Sequence, residues 1–307
     1  MISKKVQFKI LLMGPAGAGK TSMKEVIFSS LNPKDTFALQ STLIIATTKM
    51  NYIGGNELQI LDCGGQLSLL PEYFQKENLG MYENVRVLIF VIEAEKFQKN
   101  NNGNEDLDYF QRCIDMLDLY SKDAKVFCLI NKMDLIRTDR RNFVFEKRRA
   151  EILERAKDFD VQCFPTCIWD NSLIYAWNAI ISCLFPESDK LKMNLEKLLN
   201  ACDASEVIVF EKNTLLKICD VCRNMEQSEK RLVNNILILK KLINSFNDST
   251  FAFVSVFFKN PSYSFYIDEL TSSSLIMVVS KPDIGKALLE VNINAAKSFF
   301  KQSNLFY

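Results

Sequence analysis

Histidine is absent from this 307-residue chain. That removes the commonest general base and the commonest zinc ligand, so any hydrolysis must run without imidazole. Charge of one sign is also lacking: 38 Lys+Arg face 37 Asp+Glu. The resulting net charge of +1 creates no global field that would favour nucleic acid or acidic lipid. No apolar run approaches the roughly 18 residues needed to span a bilayer. The 9 cysteines show no disulfide-like spacing and read as reduced thiols of a cytoplasmic protein. Cys219-Asp-Val-Cys222 could be half a zinc site, but no second pair of that spacing accompanies it. Ile2 stands where myristoylation would need glycine, and Asn304-Leu305-Phe306-Tyr307 is no prenylation box. The expectation is a chain without a lipid anchor of its own.

What is present has ordinary globular proportions, with 48% hydrophobic and 24% charged residues, and length enough for two domains. Residues 6–13 alternate and then become wholly apolar, as a central strand does, and Met23, Val26, Ile27 and Leu31 follow at helical spacing. A strand is expected near 43–53, then a turn at IGGNE (53–57) and a short strand at 58–62. Apolar runs recur at 85–92, 125–130 and 161–166, with helical stretches near 105–121, 139–158 and 170–184. The polar run 99–106 reads as a loop. Strands alternating with helices predict an α/β fold, a mostly parallel sheet with helices on both faces. From about residue 187 the pattern changes. A helix at 189–202, a hairpin turning at Lys212-Asn213, a long helix at 226–246, strands at 250–258, 263–267 and 274–280, and a helix at 283–300 predict a smaller α/β domain with an antiparallel sheet. The domains are thus 1–186 and 187–307.

Gly14-x4-Gly19-Lys20-Thr21 lies between the first strand and the first helix, as a phosphate-binding loop must. Glycines let the backbone wrap a phosphate with its amides inward, and the helix N-terminus adds positive potential. Gly14, Ala16, Gly17, Ala18, Gly19, Lys20, Thr21 and Ser22 form the candidate cradle. Lys20 would reach the β and γ phosphates, and the Thr21 hydroxyl would bind magnesium. Asn131-Lys132-Met133-Asp134 ends another strand. The Asp134 carboxylate can accept two hydrogen bonds from guanine, whereas adenine would leave it unpaired; the Lys132 stem would lie along the base. In LDCGGQ (61–66), Asp62 can hold a magnesium-bound water, Gly65 can offer its amide to a γ-phosphate, and Gln66 can orient the attacking water. A further magnesium ligand should come from Thr36, Thr42, Thr47 or Thr48, among which spacing does not choose.

These motifs make the chain resemble the Rag GTPases, small G proteins that signal amino-acid sufficiency. The likeness rests on GPAGAGKTSM, DCGGQ, AKVFCLINKMD, FPTCIWDNSLIYAW and LKMNLEKLLNACDASEVIVFEKNTLL, and DCGGQ and IWDNSL...AW suit the A/B class. The resemblance implies a Ras-like P-loop GTPase domain followed by a roadblock/longin-like domain. It implies GTP/GDP and magnesium as ligands, Thr42 as the metal-binding threonine, and backbone amides of Cys167 and Ile168 flanking guanine. It further implies a heterodimer with a C/D-class Rag paralogue through the C-terminal domain. A scaffold complex would hold that dimer peripherally on the lysosomal or vacuolar membrane. The target-of-rapamycin complex and a GTPase-activating protein would be the other partners. Rag proteins usually carry histidine at the position of Asn131, a departure that favours base binding here.

Two other readings fit parts of the sequence. An Arf-like membrane-traffic GTPase shares DxGGQ but needs an N-terminal lipidated helix, and it leaves about 120 C-terminal residues unexplained. A nucleotide-binding scaffold without turnover is opposed by intact Lys20, Thr21, Asp62, Gln66 and Asp134.

Overall fold

The computed structural model describes residues 7–51, 56–66, 68–94, 103–184, 189–224 and 255–302. They form two compact units, one ending at Ile180 and the other beginning at Ile181. The first unit runs β1 (Gln7–Met13), α1 (Lys20–Phe28), β2 (Ala46–Asn51), β3 (Glu57–Asp62), α2 (Leu70–Tyr73), β4 (Val85–Glu93) and α3 (Gly103–Tyr120). It continues with β5 (Lys125–Asn131), α4 (Arg141–Glu154), β6 (Val161–Pro165) and α5 (Ser172–Leu184), within which the division falls.

The strand order is β2-β3-β1-β4-β5-β6. Every pairing is parallel except β2 with β3, which run antiparallel from Ala46 opposite Asp62 to Asn51 opposite Glu57. Strands covered on both faces need near-continuous apolar sequence, and β4, VRVLIFVIE, is buried at all positions but Arg86 and Glu93. Leu11 and Met13 of β1 pack in one cluster with Phe110, Ile114 and Leu117 of α3 and with Val144 and Ile152 of α4. The alternate residues Ile10 and Leu12 point to the opposite face and are equally buried. Phe28 of α1 meets Trp177 of α5 edge to face, with centroids 4.9 Å apart.

Strand order reverses at β1, which lies between β3 and β4. Open α/β sheets take ligands beyond the carboxyl ends of strands at such a reversal. The glycine loop leaves β1 at this point, and Asn131 closes β5 at the same edge.

Several local expectations need correction. The polar run read as a loop over 99–106 gives way to helix at Gly103, where Glu105 and Asp106 occupy the first turn and complement the helix dipole. The rest of that run lies outside the described residues, as does most of the 53–57 turn. β2 begins at Ala46 rather than 43, leaving Leu43 and Ile44 exposed. Helix α5 begins at Ser172, whose amide donates to the Asp170 carboxylate at 2.9 Å.

The second unit contains α6 (Asp189–Ala201), β7 (Ala204–Glu211), β8 (Lys217–Cys222), β9 (Ser255–Lys259), β10 (Ser264–Thr271), β11 (Ser274–Ser280) and α7 (Lys286–Gln302). Its sheet, ordered β8-β7-β11-β10-β9, is antiparallel throughout. The β7–β8 connection is fixed by buried Glu211, which accepts from both the amide and the hydroxyl of Thr214 at 2.7 Å. Cys219 and Cys222 stand three apart on one strand, so their side chains point to opposite faces, the wrong arrangement for a shared metal. The helix expected at 226–246 and the start of the strand expected at 250–258 lie outside the described residues.

Candidate functional site

The glycine loop is held open by backbone geometry that side chains resist. Gly14, Gly17 and Gly19 have φ of 135°, 77° and 97°, in the left-handed half of conformational space where a Cβ is strained. At Gly19 a Cβ would also lie 2.5 Å from Nδ2 of Asn131. That close approach serves a hydrogen bond: Asn131 Nδ2 donates to the Ala18 carbonyl at 2.7 Å, while its Oδ1 accepts from Thr166 Oγ1 at 3.1 Å. Asn131 is buried, and it ties the loop after β1 to the ends of β5 and β6.

Lys20 opens α1, and its buried ammonium donates to the carbonyls of Gly14 at 2.7 Å and Pro15 at 2.9 Å. Next to it, Thr21 Oγ1 donates to Asp62 Oδ2 at 2.8 Å and lies 2.9 Å from Thr42 Oγ1. Thr21 has one hydroxyl proton and spends it on the carboxylate, so Thr42 donates to Thr21. Asp62 is fully buried, and its Oδ1 has no hydrogen-bond partner. Burial pushes its carboxyl above the usual range, against the opposing pull of the Thr21 hydrogen bond and of Lys24 and Lys20. Lys24 Nζ lies 3.6 Å from Asp62 Oδ2 and 3.1 Å from Glu25 Oε1. Two hydroxyls and a buried carboxylate with a spare oxygen form a hard oxygen donor set, which suits magnesium.

Of the four candidate threonines, Thr42 is the one brought to Thr21. Thr36 Oγ1 donates to the Pro33 carbonyl at 2.7 Å, and Thr47 and Thr48 sit in β2 opposite Leu61 and Ile60. Gly64 and Gly65 pack tightly here: a Cβ on Gly64 would meet the Thr42 carbonyl at 2.4 Å. One on Gly65 would lie 2.4 Å from Ala16 N, Gly14 O and Pro15 C. The Gly65 carbonyl accepts the Ala16 amide at 2.8 Å, so this glycine reaches the loop through its oxygen as well as offering an N–H.

A cavity of about 440 Å³ connects these parts. Of the sequence-predicted residues, Ala16, Gly17, Gly19, Lys20, Thr21, Ser22, Thr42, Gly65, Gln66, Asn131, Lys132, Asp134 and Ile168 line it. Gly14, Ala18 and Asp62 stand behind the lining and act through the contacts above. Cys167 is not on the wall; its amide donates to Ser172 Oγ at 2.9 Å, and burial pushes its thiol up to about 11. Lys132 adopts φ 59° and pairs with Glu93 at 3.1 Å, and Asp134 is an exposed residue of the cavity wall. Thr36, Phe37, Leu39, Gln40, Ser41, Leu135 and Trp169 also line it and were not singled out by sequence as nucleotide contacts, except Thr36 as a metal candidate. Nothing in their spacing marks them, because they come from loops whose course depends on the rest of the fold.

The strand order, the glycine loop after β1 and the Asn-Lys-x-Asp turn after β5 define a Ras-like P-loop protein. Residues 9–237 match the family model described as the Gtr1/RagA G protein conserved region. The chain belongs to this Gtr1/RagA family, the Rag GTPases of the resemblance. It is 35% identical to Ras-related GTP-binding protein A of Dictyostelium discoideum over 96% of this chain and 97% of that protein. It is also 35% identical to GTP-binding protein gtr1 of Schizosaccharomyces pombe, over 96% of each. Ras-related GTP-binding protein C of Mus musculus is more distant, at 26% identity over 62% of this chain and 47% of that protein. Among the described residues no helix is long and apolar enough to cross a membrane.

Proposed function

We propose that the chain is a GTP-binding switch that hydrolyses GTP slowly and reports amino-acid sufficiency to the target-of-rapamycin complex. The observation that carries the reading is the convergence of Thr21, Thr42 and Asp62 beside the Lys20 loop, in one cavity with Asp134. Thr21 and Thr42 would ligate magnesium directly and Asp62 through a water; the ion would neutralise charge on the β and γ phosphates. Lys20 and the loop amides hold those phosphates. Asp134 selects guanine, with Lys132 along the base and the Ile168 amide beside it. Gln66 lines the cavity and orients the attacking water, the task of a base in a chain with no histidine. With no arginine among the cavity-lining residues to supply charge, unassisted turnover should be near that of Ras, roughly 10⁻⁴ s⁻¹, until an activating protein adds one.

Residues 1–186 form the GTPase domain in this reading, and 187–307 a roadblock-like domain for pairing. The partner is a C/D-class paralogue, in line with the matched relatives that carry the C and D names. Among the described residues β9 is an edge strand of its sheet, and Phe258 on it is exposed; an edge offers unpaired backbone groups to another chain. A scaffold complex then brings the dimer to a lysosomal or vacuolar membrane.

Competition of GTP, ATP and xanthosine triphosphate for the site, followed by single-turnover hydrolysis of GTP, tests the switch. Preference for GTP with slow, magnesium-dependent phosphate release is expected. Equal binding of ATP overturns the guanine assignment, and GTP binding without any turnover leaves only a scaffold.

A further inference from the structure

Phe37 and Trp169 both line the nucleotide cavity, yet they are 82% and 47% exposed. A side chain with both properties stands at the rim. Phe37 lies on the 3-10 turn Pro33–Ala38 between α1 and β2, and Trp169 on the loop between β6 and α5. Their ring centroids are 6.0 Å apart with planes tilted by 36°, within the range of favourable aromatic pairs. The contact therefore joins the loop that carries Thr42 to the loop that carries Ile168, across the mouth of the cavity.

Both rings are presented from short, braced turns. Asn32 Oδ1 accepts the Lys34 amide at 3.1 Å, and Thr36 closes on Pro33. On the other side, the Trp169 amide donates to Cys167 Sγ at 3.3 Å, and Asp170 accepts the Ser172 amide. Core packing does not account for two large rings held together with most of one in water. A surface phenylalanine on its own needs no explanation; one braced against a tryptophan over a ligand cavity has a position to keep.

We infer that Phe37 and Trp169 form an aromatic latch, closed over bound nucleotide and opened for its exchange. The inference rests on the guanine-nucleotide reading above and adds to it a residue pair that sets the release rate. An exposed aromatic pair strengthens the closed form only modestly, so its loss should speed release about threefold to tenfold.

The latch also carries its own reporter. The chain has 2 tryptophans, and the other, Trp177, is fully buried, so quenching by acrylamide reads Trp169. Full-length wild type, Phe37→Ala, Phe37→Tyr and Asp134→Asn would each be mixed with GDP bearing a fluorescent ribose label, then chased with unlabelled GDP. Phe37→Ala should release the label threefold to tenfold faster and expose Trp169 to quencher, while Phe37→Tyr should match wild type in both. A wild-type release rate in Phe37→Ala, alongside accelerated release in Asp134→Asn, refutes the latch and leaves the nucleotide site standing. Failure of wild type to bind the labelled GDP at all removes the site reading and the latch with it.

Discussion

Asn131→Ala isolates the tie between the glycine loop and the base-side strands. The Asn131 side chain makes two hydrogen bonds, to the Ala18 carbonyl at 2.7 Å and from the Thr166 hydroxyl at 3.1 Å, and both Asn131 and Thr166 are buried. Truncation leaves the two partners without their bonds. A buried group stripped of its partner costs about 1–3 kcal/mol, partly offset where the chain relaxes, so a loss of about 2–4 kcal/mol is expected for the unfolding transition of the first unit. Because two-state unfolding is not assured for a chain of two compact units, that transition must be resolved by a local probe rather than taken from a single midpoint. Gly19 supplies a second leg. A Cβ there would stand 2.5 Å from Asn131 Nδ2 and would also sit at a φ of 97°. In the Asn131→Ala background the clash is gone and only the backbone strain, about 1–2 kcal/mol, persists. The cost of Gly19→Ala should therefore be smaller in that background than in wild type, and the double-mutant cycle should show coupling beyond about 0.5 kcal/mol. Urea titration of all four proteins, with GDP affinity measured alongside, provides the assay. A loss under about 1 kcal/mol for Asn131→Ala, or strict additivity with Gly19→Ala, refutes the proposed tie.

Asp134→Asn should weaken GTP by about 1.5–3 kcal/mol and shift preference to xanthosine triphosphate, since the hydrogen-bond polarity at the base reverses; unchanged GTP affinity by fluorescent titration contradicts the guanine assignment. Thr42→Ala should leave GDP affinity nearly intact and abolish the magnesium-dependent gain for GTP, whereas equal loss of both nucleotides would make Thr42 structural. Gly65→Ala, whose Cβ would collide with the loop backbone at 2.4 Å, should impair nucleotide binding more than a substitution at Gly80, where a Cβ meets nothing within 4 Å; comparable binding in the two variants would show that the loop yields freely. Residues 1–186 alone should bind GTP as a monomer, while the full chain should associate with a C/D-class paralogue whatever nucleotide is bound; light scattering that finds no association with any such partner rules out the pairing role of 187–307.

The glycine loop and the Asn-Lys-x-Asp turn were legible because their chemistry is written in contiguous residues. Glycine at 14, 17 and 19 permits the positive φ that the loop needs, whatever surrounds it. The strands were legible for a similar reason: burial on both faces demands an unbroken apolar run, and VRVLIFVIE can hardly be anything else. Other features depended on which distant segments meet. Four threonines were equivalent by spacing until the course of residues 39–45 brought Thr42 within 2.9 Å of Thr21 and left Thr36 bonded to Pro33. Asn131 read as a base contact, and what spacing did not show is that its side chain also bonds Ala18 and Thr166, 113 and 35 residues away in the chain. Of the latch rings, Phe37 belonged to no motif, and Trp169 stood in IWDNSL with nothing in the string to say that it would meet Phe37. Local residue pattern determines local backbone, but a hydrogen bond or a ring contact between loops exists only once the sheet order has set where each loop emerges, and that was the decision of the tertiary structure.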